Sequence, residues 1–167
     1  PKSVGNGFTF PRNLQGREEI RGGITQLSDH VAARLRLCGM KCQGVSLAIR
    51  DPDFHDISRQ TRLDTPTYLG RELAQAAMAL ADQCWSMDRP VRALTVTAIY
   101  LIPAEEAAAQ LELWDAPRQH QRERRERLEQ AMDAIRAKYG GRAIQPASAP
   151  RGTASTGHDP FPDREGT

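Results

Sequence analysis

The stretch Lys2 to Phe10, KSVGNGFTF, puts Ser3, Gly5, Gly7 and Thr9 on one parity of a strand and Val4, Phe8 and Phe10 on the other. Glycine has no side chain to pack and loses the most backbone freedom on folding, so two of them on one strand face need a reason. A face of hydroxyls and bare backbone lets a flat or convex partner approach closely, and hydroxyl and amide groups donate hydrogen bonds to phosphate oxygens. Two later stretches offer the same chemistry. Gly44, Ser46, Ala48 and Arg50 alternate with Val45, Leu47 and Ile49, while Ala93, Thr95 and Thr97 alternate with Leu94, Val96, Ala98 and Tyr100. Lys2, Arg12, Arg50, Arg59, Arg62 and Arg92 lie toward the ends of such strands. A small-residue face with a cationic rim suits a surface that grips phosphates without reading bases. The same pattern also describes an antiparallel sheet with one solvated face, so it does not decide alone. Sheets that bind single-stranded RNA stack bases on exposed aromatics, whereas Phe8, Phe10 and Tyr100 share the core parity; duplex backbone contact is the reading this favours.

Other chemistries find no pattern in the sequence. The three cysteines and four histidines form neither a CxxC pair nor an HExxH site, so a structural metal or disulfide framework is not expected. Cys38 and Cys84 read as core residues at helical spacing. Asp51 and Asp53 flank Pro52 and suit turn chemistry rather than a pair of metal-holding carboxylates. No catalytic residue, metal site or cofactor is therefore expected in this chain. The first acid in the sequence follows Lys2 and Arg12, but the net charge of +2 is too small to specify a polyanion partner. No run of about 20 apolar residues is present, nor a signal peptide, so a cytoplasmic, non-membrane and monomeric chain is expected.

The positioning elements follow from periodicity. With 167 residues, 39% of them hydrophobic, the chain suits one core plus accessory segments. Ile20, Ile24, Leu27, Val31 and Leu35 form a helical stripe that should end near Gly39. The strand Gln43 to Arg50 turns at Asp51-Pro52-Asp53 into a partner around Ile57 to Leu63. Thr65 and Pro66 read as N-cap and first residue of a second helix with the stripe Leu69, Leu73, Ala77, Leu80 and Cys84, and Val91 to Leu101 is a fourth strand. The order β-α-β-β-α-β predicts an α+β fold: a four-stranded antiparallel sheet with both helices on one face and the small-residue face open.

At this point the residues resemble a family. KSVGNGFTFPRNL at 2–14, ISRQTRL at 57–63 and VRALTVTAIYL at 91–101 look like the three landmark segments of the little finger, the C-terminal DNA-binding domain of Y-family translesion DNA polymerases, close to the bacterial DNA polymerase IV group. The likeness covers residues 1 to about 140, and a start at Pro1 rather than Met fits a fragment cut where that domain opens. It implies that Lys2, Ser3, Gly5, Asn6, Ser58, Arg59, Gln60, Thr61, Arg62, Arg92, Thr95 and Thr97 lie along primer-template phosphates in the major groove. Ala93 and Thr97 depart from the family, where some relatives carry basic residues, which implies a weaker grip there. The parity of the 57–63 strand that faces DNA is open between Ser58, Gln60 and Arg62 and the alternative Arg59 and Thr61. Nucleotidyl transfer and its Mg²⁺ would belong to a palm preceding residue 1. A stand-alone RNA- or protein-binding module, or a relative with a dead palm, are the alternatives.

Residues 1–104 form the expected domain, followed by a 105–121 linker, a 122–140 helix and a disordered 141–167 tail rich in Pro, Gly, Ser and Thr. Within the linker, Gln110, Leu111, Leu113 and Trp114 resemble the Q-L-x-L-F peptide with which bacterial polymerases bind the sliding clamp, with Trp in place of Phe. The competing reading is a helix whose Leu111 and Trp114 pack on the domain. In the 122–140 helix, Leu128, Met132, Ile135 and Tyr139 form an apolar stripe, Glu123 and Arg127 an i,i+4 pair, and Gly140 a C-cap.

Overall fold

The computed structural model describes residues 2–111, 116–145, 147 and 160–161. Its elements are β1 (Ser3–Leu14), α1 (Gly16–Leu37), β2 (Met40–Arg50), β3 (Asp56–Thr67), α2 (Gly70–Cys84), β4 (Val91–Pro103), α3 (Ala104–Leu111) and α4 (Ala116–Tyr139). The four strands make one sheet in the order β1-β4-β2-β3, every neighbouring pair antiparallel. The expected α+β architecture is thus the observed one.

Alternation drives the layering. Val4 and Phe10, Val45, Leu47 and Ile49, and Leu94, Val96 and Ala98 are all buried, and all point toward α1 and α2. Those helices meet them with Ile20, Ile24, Val31, Leu35, Leu73 and Ala77, none more than 1% exposed. Gly23 lets α1 lie close to the sheet, because a Cβ there would sit 3.1 Å from both Leu94 and Phe10. Both edge strands carry a break in register, between Thr9 and Leu14 in β1 and between Arg62 and Thr67 in β3. Pro11 and Pro66 fall inside these breaks, where the missing N–H costs no ladder bond.

Four local expectations are corrected. Thr65-Pro66 does not start a helix: β3 continues to Thr67, whose hydroxyl accepts the N–H of Leu69 at 3.0 Å, and α2 begins at Gly70. Cys38 is exposed beyond the end of α1, where Gly39 (φ 64°) reverses the chain, whereas Cys42 is the buried cysteine. Tyr100 leaves the core parity and faces the opposite side of the sheet. The terminal helix starts at Ala116 rather than 122, and α3 occupies the first half of the expected linker, with Ala107 fully buried.

The packing of α4 reverses its apolar stripe. Leu128 and Tyr139 are 61% and 65% exposed, and the face turned to the body is charged. Arg122 donates to Glu72 and to the Pro66 carbonyl, Lys41 donates to Glu126 at 2.8 Å, and Arg136 pairs with Asp29 at 2.8 Å. Arg36, whose side chain is 5% exposed, bridges Glu129 and Asp133. Burial opposes the Arg36 charge, but the Asp133 hydrogen bond and the neighbouring carboxylates hold its pKa above the ordinary value. Burial pushes the Glu129 carboxyl up against the pull of Arg36. Glu129 also accepts the Gly70 N–H, satisfying a donor at the start of α2 that no side chain of that helix caps. Gly140 (φ 99°) ends α4 as expected. In the tail, Phe161 is buried, and residues 146, 148–159 and 162–167 lie outside the described residues.

Candidate nucleic-acid interface

Antiparallel pairing places directly opposed residues on the same face, so the registers lay out the open side of the sheet as four rows. From β1 to β3 they read Ser3, Ile99, Gly44, Arg62; then Gly5, Thr97, Ser46, Gln60; then Gly7, Thr95, Ala48, Ser58; then Thr9, Ala93, Arg50, Asp56. Apart from Gly44, the residues of these rows are exposed or half-buried. The open parity of β3 is therefore Ser58, Gln60 and Arg62, while Arg59 and Thr61 oppose Leu47 and Val45 and belong to the helix side.

The two glycines of β1 face threonines of β4. A Cβ on Gly5 would lie 2.8 Å from the Thr97 hydroxyl, and one on Gly7 would lie 2.5 Å from that of Thr95. The glycines thus make room first for the threonine side chains that cross over them. This corrects the reading in which their whole purpose is access from outside. Threonine is short and stiff at χ1, so it yields only by changing rotamer. Gly7→Ala is accordingly expected to cost about 1–3 kcal/mol as overpacking. Adding Thr95→Ala should return most of that loss. Urea unfolding of both variants measures it, and strictly additive effects would show that the two positions do not crowd each other.

Of the other predicted contact residues, Ser3, Gly5, Thr95, Thr97, Ser58, Gln60 and Arg62 come together on the open face, and Lys2 is exposed just before β1. Asn6 does not: it is buried on the helix side with its amide 3.1 Å from the His30 ring. Arg92 has the same inward parity and donates to the Phe10 carbonyl at 3.2 Å. Gln110 and Leu111 fall in the last turn of α3, and Leu113 and Trp114 lie outside the described residues.

The cations of the rim are not equivalent. Arg50 is held by Asp56 through two bonds of 2.7 and 2.9 Å, which also keep the Asp56 carboxyl below its usual range. Arg12 is paired with Glu19 and Arg59 bends to the Ser58 carbonyl. Arg62, like Lys2, Arg59 and Arg92, has no carboxylate partner among the described residues. Its guanidinium instead lies 4.4 Å from the centre of the Tyr100 ring, and Gln60 reaches the Tyr100 hydroxyl at 3.4 Å.

Tyr100 is the residue that the alternation pattern misplaced. Its φ of 55° turns the side chain out of the core parity, over Gly44, where a Cβ would meet the ring at 2.8 Å. Among the described residues, the open face thus carries one aromatic, 40% exposed. At the far end of the sheet, the Asp51 carboxylate accepts the backbone N–H groups of His55 and Asp53 and faces the His55 ring, which keeps its pKa low, and Arg89 also meets it across the β2–β3 turn. The ligand atoms of Asp51, Asp53 and His55 gather within 4.8 Å, but these bonds already account for both Asp51 oxygens. Among the described residues, no helix is long and apolar enough to cross a membrane.

Comparison with known proteins gives the face its context. Residues 1–113 match the family model described as the impB/mucB/samB family C-terminal domain. The chain is 33% identical over 139 residues to a protein named DNA polymerase IV from Acetivibrio thermocellus, covering 83% of this chain and 34% of that one. It is 34% identical over 146 residues to DNA polymerase IV of Moorella thermoacetica, covering 87% and 35%, and 29% identical over 144 residues to DNA polymerase IV 1 of Bacillus subtilis, covering 86% and 34%. It spans about a third of the length of these relatives. With residues 1–113 matched by the family model and 83% of the chain aligned at 33% identity, the chain belongs to the impB/mucB/samB C-terminal domain family, the C-terminal domain of Y-family DNA polymerases.

Proposed function

We propose that this chain is the DNA-gripping and clamp-docking part of a translesion DNA polymerase. The open face lies against the sugar-phosphate backbone of the primer-template duplex in the major groove, with Ser3, Gly5, Thr95, Thr97, Ser58, Gln60, Arg62 and Lys2 toward the phosphates. The observation that carries this reading is the uncovered face of small and hydroxyl-bearing residues, edged by a guanidinium that no described carboxylate neutralises, in a chain of this family. Bare backbone and short hydroxyls bring donors to phosphate oxygens at close range, and of the row side chains able to fork a base edge, Arg50 is held by Asp56 while Gln60 and Arg62 meet Tyr100. Asn6, Arg59, Thr61 and Arg92 support the strands and turns behind this face. The DNA polymerase activity itself, with the two Mg²⁺ ions that align primer end and triphosphate, belongs to a palm domain of the parent protein. The parent acts in the cytoplasm, and this part of it is monomeric.

A second reading, a single-stranded RNA module, draws support from Tyr100 on the open face. RNA-binding sheets stack two or three bases on several aromatics, however, and this face offers one, already occupied by Arg62.

Titration of the full 167-residue chain with a primer-template duplex at two salt concentrations separates the readings. Roughly four phosphate contacts correspond to a loss of about a hundredfold in affinity between about 50 and 200 mM salt, without sequence preference. Salt-independent binding, or a preference for single-stranded RNA, would remove the backbone-grip proposal.

A further inference from the structure

Tyr100 sits in a backbone conformation that bulky L-residues rarely adopt, inside a strand, where φ of 55° puts its side chain on the wrong parity for the core. Such positions persist only where the surroundings enforce them, and they concentrate at functional sites. Three neighbours are fitted to the ring: Gly44 is bare beneath it, Gln60 meets its hydroxyl, and Arg62 lies over it. Gly44 and Arg62 oppose each other in the β2–β3 register, so the assembly spans the sheet between β4 and the β3 edge.

We infer that Tyr100 is a positioning residue for DNA binding: it holds the Arg62 guanidinium flat on the open face, ready for a backbone phosphate of the duplex. This rests on the duplex-binding reading above and adds to it the device that orders this cation. A free arginine on an edge strand samples many rotamers, and ordering it on contact with a phosphate costs affinity. A ring that already carries the guanidinium removes part of that cost while leaving the N–H edges open. The arrangement also gives a tyrosine a role at a position where glycine or asparagine would relax the backbone.

The test is a double-mutant cycle on the full chain, read by duplex affinity and its salt slope. Tyr100→Asn removes the ring and suits the positive φ, so the protein is expected to melt no lower than the parent while binding duplex about threefold to fivefold more weakly. Tyr100→Gly serves as the second relaxed variant with the same expected loss. Arg62→Ala should flatten the salt slope by about one phosphate contact. The decisive result is that Tyr100→Asn weakens binding no further once Arg62 is alanine. Tyr100→Phe, which keeps the ring, should bind as the parent does. An undiminished effect of Tyr100→Asn in the Arg62→Ala background, or no effect in the parent, overturns the inference. Absence of salt-dependent duplex binding by the parent chain overturns instead the functional reading on which it rests.

Discussion

Arg36→Met is expected to release α4 from the body and lower the melting temperature by on the order of 10 °C. The substitution keeps an unbranched apolar stem and deletes the guanidinium that faces Glu129 and Asp133 from α1. Removing one member of a buried ion pair strands its partners in a low-dielectric site, at a cost of about 3–5 kcal/mol. The loss should fall first on α4, because that helix is attached through polar contacts and shares little of the apolar core. Hydrogen exchange of the variant should therefore show backbone amides of α4 losing protection while β2 and β4 keep theirs. Adding Glu129→Gln and Asp133→Asn should restore most of the stability, since the amides need no counter-charge and the glutamine carbonyl can still accept the Gly70 N–H. A single variant that melts within about 2 °C of the parent, with α4 still protected, would show that the network contributes nothing to docking.

Changing Leu113 and Trp114 together to alanine should weaken binding to a bacterial sliding clamp at least about a hundredfold. Short docking segments draw most of their affinity from a few buried anchors, each worth about 2 kcal/mol or more at a hot spot. Two such anchors lost together exceed the roughly 2.7 kcal/mol that a hundredfold represents. Leu113 and Trp114 fall between α3 and α4 in the chain, and α4 is fixed to α1 and α2 by its ion pairs, so thermal stability and duplex binding should hardly change. The competing helix-packing reading predicts the reverse, a lower melting temperature with clamp binding intact. Clamp affinity and melting temperature measured on one variant decide between them.

The parity of β1, β2 and β4 was readable because Val4, Val45, Leu47, Leu94 and Val96 alternate with small or polar residues and are buried, whereas on the edge strand β3 the successive Ser58, Arg59 and Gln60 are all exposed and leave its parity open in sequence. Gly5 and Gly7 announced a close approach but not its cause, since Thr95 and Thr97 stand far along the chain and cross them only after β1 pairs with β4. The pair Thr65-Pro66 has the chemistry of a helix start and equally that of an interrupted edge strand, and only the position of β3 at the sheet edge selects the second. Tyr100 follows Ala98 and Ile99 in an apolar run that ends the alternation, and a left-handed φ at a tyrosine has no signature in sequence. For α4, the apolar stripe suggested a buried face, yet the true contact face was hidden because its partners Asp29, Arg36, Lys41 and Glu72 are scattered over α1, β2 and α2. Asn6 illustrates the limit of carrying roles across by resemblance: the landmark segment names it, while strand alternation turns it inward to His30.

The strand order β1-β4-β2-β3 bears on how the chain is made. β1 pairs with β4 alone, so the first of the four strands to leave the ribosome has no neighbour until Val91–Pro103 has been synthesised. At the usual rate of about 5–20 residues per second that wait lasts roughly 5–20 s. Meanwhile α1, the β2–β3 hairpin and α2 can assemble locally, leaving a slot in the sheet between β2 and the waiting β1. β4 closes that slot by pairing on both sides at once, a late step with high loop-closure entropy that makes the last strand the gate to the whole sheet. Until then the nascent chain carries an unpaired strand bearing Val4, Phe8 and Phe10, whose neighbours Lys2, Gly5, Gly7 and Pro11 are residue types that discourage pairing with the wrong edge.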